Sequence, residues 1–365
     1  MNGKYHGKVM KSRQNGRSRP NARRSVWTVV IVVAMIVALA GASTGCGPQS
    51  KLPDMIQGDW VPPMLSTVDA RAARVIALEF DKPVRLLEAA IDPPVEIAET
   101  RWHENALELQ GKDDFLASEK YWIDARVEDE AGNISSVLVS VYGLNEHLPE
   151  IRINEFVCEG SRAHPDWVEL KVLSDGNIAG LGLYEGGPNI WDNHKVFPAL
   201  EVRTGDYIVV HFKPEVIPEE VDETTDPAES GGLDVHPEAW DFWVRGGDGI
   251  PNTTGAVTLT EFPGGPVIDA VLYTTKRYDP DDEKRGFGLK SQLEIFEDVV
   301  TAGGWEIAGD FVIPEDGLDP EDSTATRSIT RDPEGIDTDP AGDWHITPTS
   351  GATPGSENTT EVYMP

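Results

Sequence analysis

Carboxylates are the side chains this sequence offers most freely for chemistry, with 63 Asp and Glu against 31 Lys and Arg. Many gather in three runs: Asp279-Pro280-Asp281-Asp282-Glu283, Glu315 to Asp322, and Asp332 to Asp339. Such loops can supply the converging oxygens that calcium requires. None has EF-hand spacing, however, and Pro interrupts each, so solvated loop charge is the expectation and bound calcium the alternative. Asp166 and Glu169 stand three apart along a strand, which points them to opposite faces, so they make no paired-carboxylate site by themselves. The histidines His103, His147, His164, His194, His211, His236 and His345 show neither HExxH nor a paired short spacing, and no zinc site is indicated. A Gly-x-Ser-x-Gly elbow and a phosphate-cradling Gly-rich loop are both absent. Trp191, Trp240, Phe242 and Trp243 fall in or beside Gly/Asp-rich loops, where an exposed indole can stack on a sugar ring or anchor a protein. Trp191, Trp240 and Trp243 are the candidate ligand contacts; burial at the ends of the fold is the alternative.

The remaining chemistry is that of two thiols, Cys46 and Cys158. Residues 1–25 hold eight basic residues and no acid, and Val26 to Ala42 is almost wholly apolar, about 17 residues, at the short end of what spans a bilayer. Ser43-Thr44-Gly45-Cys46-Gly47 then places small residues before a cysteine. This resembles a bacterial lipobox, with Ser43 standing where an aliphatic residue is usual. The resemblance implies export and a lipid on Cys46; an uncleaved single-span anchor and ordinary cleavage near Ala42 to Gly45 are the alternatives. Lipidation leaves Cys158 without a partner in the chain, and its expected role is that of a small buried hydrophobe. A Cys46–Cys158 disulfide would tie a membrane-proximal linker to a domain more than a hundred residues away.

Charge narrows the partners. Without the eight basic residues of the N-terminus, 23 Lys and Arg face 63 acids, a net charge of −40 on the exported part. Nucleic-acid phosphates and anionic headgroups would be repelled. A membrane through the lipid on Cys46, and a protein or glycan, are the partners expected; nucleic acid is not.

The elements that would position these residues are short strands. Val75 to Phe80, Val95 to Ile97, Ala106 to Leu109, Tyr121 to Val127 and Val137 to Val141 mostly alternate apolar with polar residues between Pro, Gly, Asn and Asp, which predicts a β-sandwich. Phe80-Asp81-Lys82-Pro83-Val84 and Asp129-Glu130-Ala131-Gly132-Asn133 resemble the "eFdkPv" and "v.D.aGN" segments of bacterial immunoglobulin-like domains over about 80 residues. In that family the module is mostly a spacer or presenter.

From Ile151 a second pattern begins. Ile151-Arg152-Ile153-Asn154-Glu155-Phe156, Asp166-Trp167-Val168-Glu169-Leu170 and Ile178 to Tyr184 resemble the opening of a lamin-tail domain. Gly205 to Val210, Gly255 to Leu259, Gly265 to Tyr273, Arg327 to Asp332 and Thr353-Pro354-Gly355-Ser356-Glu357-Asn358 continue it over about 200 residues. The resemblance implies an immunoglobulin-like sandwich. Lys213 to Ile250 and Thr274 to Thr326 exceed the usual length and read as acidic, loop-like insertions, the places where a particular function would sit.

The sequence therefore predicts an all-β chain of two tandem immunoglobulin-like β-sandwiches after an N-terminal signal or anchor helix. Its expected parts are a signal peptide with lipobox (1–46), a linker (47–63), an immunoglobulin-like domain (64–145), a lamin-tail-like domain (149–358) and a tail (359–365). The expected role is that of a non-enzymatic surface lipoprotein facing the periplasm or cell surface, a binding, adhesion or structural module without a cofactor. A secreted metal-dependent hydrolase of nuclease or phosphatase type and a calcium-dependent adhesin are the alternatives.

Overall fold

The computed structural model describes residues 59–333 and 341–365. The expected signal peptide (1–46) with Cys46, and most of the expected linker (47–63), lie outside the described residues. The fold is all-β, 39% strand against 5% helix.

Seven antiparallel strands come first: β1 (Leu65–Ala72), β2 (Val75–Phe80), β3 (Val84–Asp92), β4 (Ile97–His103), β5 (Ala106–Gly111), β6 (Lys120–Asp129) and β7 (Ile134–Tyr142). One sheet has the order β1-β2-β5-β4 and the facing sheet β3-β6-β7. Period-two alternation sorts their side chains. In β6, Tyr121, Ile123, Ala125 and Val127 turn into the core, while Lys120, Trp122, Asp124 and Arg126 turn to solvent. The inward set packs on Ile76, Leu78, Phe80, Leu107 and Leu109, each fully buried large side chain contributing roughly 1.5–3 kcal/mol. The β6–β7 turn has its own fastener. Asp129 accepts the N–H groups of Ala131 and Asn133 and the Asn133 amide, all at 2.9 Å, which together hold its carboxyl below the usual range. Gly132 supplies the left-handed backbone the turn needs, at φ +86°.

The second set comprises β8 (Ile151–Val157), β9 (Trp167–Val172), β10 (Gly176–Asn177), β11 (Gly182–Gly186), β12 (Trp191–Val196), β13 (Glu201–Val202), β14 (Tyr207–His211), β15 (Trp240–Trp243), β16 (Thr254–Thr260), β17 (Val267–Thr274), helix α1 (Lys290–Thr301), β18 (Ile329–Arg331) and β19 (Trp344–Ile346). A six-stranded sheet, β15-β14-β9-β8-β18-β19, faces a four-stranded one, β12-β11-β16-β17, with β10-β13 as a small ribbon. Between the sheets lie Ile153, Val168, Leu170, Leu183, Val210, Val257, Leu259 and Val271.

The two long insertions are more ordered than their composition suggests. Residues 213–250 contribute β15, which joins the sheet parallel to β14. Its ladder N–H groups are met by carboxylates, Asp241 N–H donating to Glu223 at 2.7 Å and Trp243 N–H to Asp222 at 2.9 Å. These bonds close an edge that would otherwise be open to strand addition. Residues 274–326 contribute α1, whose Leu293, Phe296 and Val299, three apart, bury one face. The helix packs against β16, and Phe296 meets Phe287 edge-on at 4.7 Å.

Trp60 to Pro365 form one compact unit. Where the strand sets meet, the Asn145 amide donates to the carbonyls of Asn177 (2.6 Å) and Ala179 (3.0 Å). Gly180 sits so close to the Ala117 carbonyl that a Cβ would stand 2.4 Å from it.

Candidate functional site

The acids singled out by motif are occupied in holding the fold. Glu155 on β8 and Glu169 on β9 are cross-strand neighbours beside a bulge, and both are buried. Glu155 accepts the Ser328 hydroxyl, the Thr353 N–H at 3.1 Å and the Thr353 hydroxyl at 2.9 Å. Glu169 accepts the Asn154 amide and the Gly355 N–H, each at 2.6 Å. Asn358 completes the set, exchanging bonds with the Asn154 amide and donating to the Arg331 carbonyl at 2.7 Å. The segment Thr353 to Asn358 is thereby clamped onto the first two strands of the second sandwich. Burial pushes both carboxyls up, and the Glu155 charge pushes Glu169 further, well above its ordinary value. The partner of Glu169 is thus Glu155 across the ladder and not Asp166.

Asp166 has separate work. It accepts the N–H groups of Gly160 (2.7 Å) and Ile250 (3.1 Å), fixing the loop after β15. Nearby in the core, Arg331 grips Asp269 through both carboxylate oxygens at 2.9 Å and donates to the Ile153 carbonyl at 3.1 Å. Cys158 is buried between Ser323 and the Asn252 carbonyl, and burial pushes its thiol up to about 12, which removes it from nucleophilic chemistry at neutral pH.

The three candidate tryptophans part company. Trp243 is 2% exposed, stacks on His211 at 4.1 Å and donates its indole N–H to Ser230 at 2.8 Å. Trp240 is half-buried against the core. Trp191 is 41% exposed, with its ring 4.2 Å from His194 and 5.7 Å from Tyr184. Its turn is rigid, because Asp298 of α1 accepts the N–H groups of Asn189 (2.8 Å) and Ile190 (3.1 Å). The acid runs serve as turn caps in the same manner: Asp282 accepts the N–H groups of Lys284 and Gly286, both at 3.1 Å. Among the described residues, no three His, Cys, Asp or Glu converge in a geometry that could hold a metal ion. Most of the third run lies outside the described residues.

A carboxyl that no motif marked faces open space. Glu185, next to last in β11, shares the inward face of that strand with Leu183 and is paired across the ladders with Asn193 and Val257. It is 6% exposed, yet it lines a cleft of about 650 Å³ with Asp192, Asn193, Gly246 and the run Asp248 to Pro251. The Asn193 amide bridges Glu185 at 2.9 Å and Asp248 at 3.1 Å. Burial pushes the Glu185 carboxyl up to about 7; the like charges of Asp192 and Asp248 add to this and the Asn193 amide opposes it. Tyr184, the neighbour of Glu185, points to the opposite face of the strand, so Trp191, which packs with Tyr184, stands away from the cleft. Sequence reasoning missed Glu185 because Asp248, 63 residues further on, reaches it only in the folded chain.

These features define an all-β sandwich protein with its motif acids buried and one acidic cleft at the end of β11. Residues 149–346, more than half of the chain, match the family model described as "TP_1001_2nd: protein second domain", and the chain belongs to that family. An uncharacterized protein of Treponema pallidum (strain Nichols) is 27% identical over 148 residues, which are 40% of this chain and 37% of that protein. The chain thus matches little more than a third of that relative's length. The crystal structure of L,D-transpeptidase 3 from Mycobacterium tuberculosis aligns over 57% of this chain and 97% of that one at 10% identity, with a TM-score of 0.16.

Proposed function

We propose that the chain is a non-enzymatic lipoprotein of the cell envelope, held to a membrane by a lipid on Cys46, whose sandwiches serve as a binding or structural module. The observation that carries this reading is how the reactive side chains are used. Glu155, Glu169 and Asp166 spend their oxygens on the chain's own donors, and the Cys158 thiol is buried. The convergence of the Ile-Asn-Glu, Glu-Leu and Thr-Pro-Gly segments on one clamp supports the lamin-tail reading, since it gives each motif residue a packing role. Metabolic labelling with a radiolabelled fatty acid tests the anchor, with label expected on the wild type and not on Cys46→Ala. Turnover of nucleic-acid, phosphoester or glycan substrates by the purified protein, with or without divalent metal, would overturn the non-enzymatic reading.

One observation favours a hydrolase instead: Glu185, with a carboxyl poised near neutrality and a second carboxylate beside it, has the makings of a general acid or base. That reading requires turnover which Glu185→Gln abolishes.

A further inference from the structure

The chain enters the first sandwich at one end and leaves it at the other. Trp60 to Met64 lead into β1 beside the β2–β3 and β6–β7 turns, and β7 runs from that end to Tyr142. Four bonds fasten the entering segment. The Lys82 ammonium donates to the Val61 carbonyl at 2.8 Å and the Ser135 hydroxyl to the Pro63 carbonyl at 2.5 Å. Met64 N–H donates to the Asp81 carboxylate at 2.8 Å, and Asp81 N–H to the Met64 carbonyl at 3.0 Å. The β4–β5 turn lies at the same end, where the Asn105 carbonyl accepts Phe80 N–H at 3.0 Å.

What these bonds leave outward is apolar. Trp60, Val61 and Met64 are 65%, 57% and 63% exposed, and Trp102 near the end of β4 and Ile134 at the start of β7 are 40% and 42% exposed. Large apolar side chains gathered on a surface mark a place of contact, where the same residues scattered singly would not. The backbone of this segment is also prepared to leave water. Pro62 and Pro63 carry no N–H, and the carbonyls of Val61, Pro63 and Met64 are met by donors of the chain itself. A surface of this kind suits a bilayer interface, where an unpaired backbone group is costly and Trp is favoured at headgroup level.

Connectivity points to the same occupant. Cys46 stands 14 residues before Trp60, a leash of at most about 50 Å, so the apolar end is the one nearest the anchor along the chain. The second sandwich follows from the opposite end. Asp81, Glu104 and Glu130 are exposed beside the apolar residues, which disfavours an anionic surface and leaves a zwitterionic one.

We propose that this end of the first sandwich rests in the headgroup layer of a zwitterionic bilayer, with Trp60, Val61, Met64, Trp102 and Ile134 entering the interface. Such docking rests on the membrane-anchored reading above and adds a protein contact to the lipid one.

The test is tryptophan fluorescence of the full-length protein in phosphatidylcholine vesicles, with and without bromine on the acyl chains near the headgroup. Trp27 is replaced by Phe throughout, because it lies in the apolar N-terminal stretch. The protein should float with the vesicles on a density gradient, and bromine should quench its emission. Trp60→Phe combined with Trp102→Phe should remove at least half of that quenching. Trp191→Phe, an exposed indole of the second sandwich, should leave it unchanged. Because Trp60 and Trp102 are exposed, their variant should melt like its parent, which keeps the test clear of folding defects. Floated protein without quenching, or with quenching that the Trp60 and Trp102 changes do not reduce, would overturn the docking and leave the anchor standing. Failure to float would overturn both. Self-association in detergent micelles that Met64→Ser abolishes would give the surface to a second copy of the chain and likewise sink the bilayer contact.

Discussion

At the scale of single residues, the pH response of the protein is set by carboxyls that hold protons the unfolded chain would release. Glu155, Glu169 and Glu185 all titrate above their ordinary value in the folded state. Between the unfolded value, about 4.3, and the raised folded value, the native protein binds more protons than the unfolded one. Stability is therefore greatest below that window and falls as pH rises through it. For Glu185 the window closes at about 7. Thermal melts between pH 4.5 and 8 should show this decline, and Glu185→Gln should flatten the part of it below about pH 7. Cys158 gives a second expectation. Its thiol should resist a thiol-reactive dye in the native protein and react fully in denaturant; prompt native labelling would contradict its buried position.

At the scale of elements, what the sequence discloses depends on whether a residue's partners are near in the chain. The alternation of Tyr121, Ile123, Ala125 and Val127 announces β6 unaided, and Asp129 with Gly132 and Asn133 announces the turn after it. Glu155 and Glu169 are visible as motif residues, but their mutual pairing and their grip on Thr353 and Gly355 depend on partners almost 200 residues away. Helix α1 is obscured for another reason. Its Leu293, Phe296 and Val299 repeat lies among acids that suggest a loop, and only the sheet beneath supplies its apolar partner. Strand β15 needs the parallel neighbour β14, which no local pattern indicates. Two variants measure these elements by denaturant unfolding. Phe296→Ala should cost about 3–5 kcal/mol, the loss of a buried aromatic at the helix–sheet contact. Asn358→Ala should cost about 1–3 kcal/mol by leaving the buried Asn154 amide and the Arg331 carbonyl short of a partner, and should raise hydrogen exchange at Thr353 to Gly355 before the rest of the domain.

At the scale of the molecule, charge and connectivity matter most. Residues 26–365, with 23 Lys and Arg against 63 acids, carry a net −40 and repel one another. Raising salt from 0.05 to 0.5 M shortens the Debye length from above 10 Å to below it. The melting temperature should therefore rise with salt, and a fall would show that exposed attractive pairs such as Arg74 with Asp114 outweigh the repulsion. The clamp of Thr353 to Asn358 on β8 and β9 also sets an order of events. The first strands of the second sandwich are made well before the groups that satisfy their buried acids, which follow almost 200 residues later in the chain. A chain stopped at Ala352 should stay open to protease from β8 onward. The strap from Thr353 to Asn358 thus acts as a latch on the second sandwich: its two buried acids are satisfied only by contacts across almost 200 residues, so closure of the domain is bound to its most distant pairings and not to its hairpins.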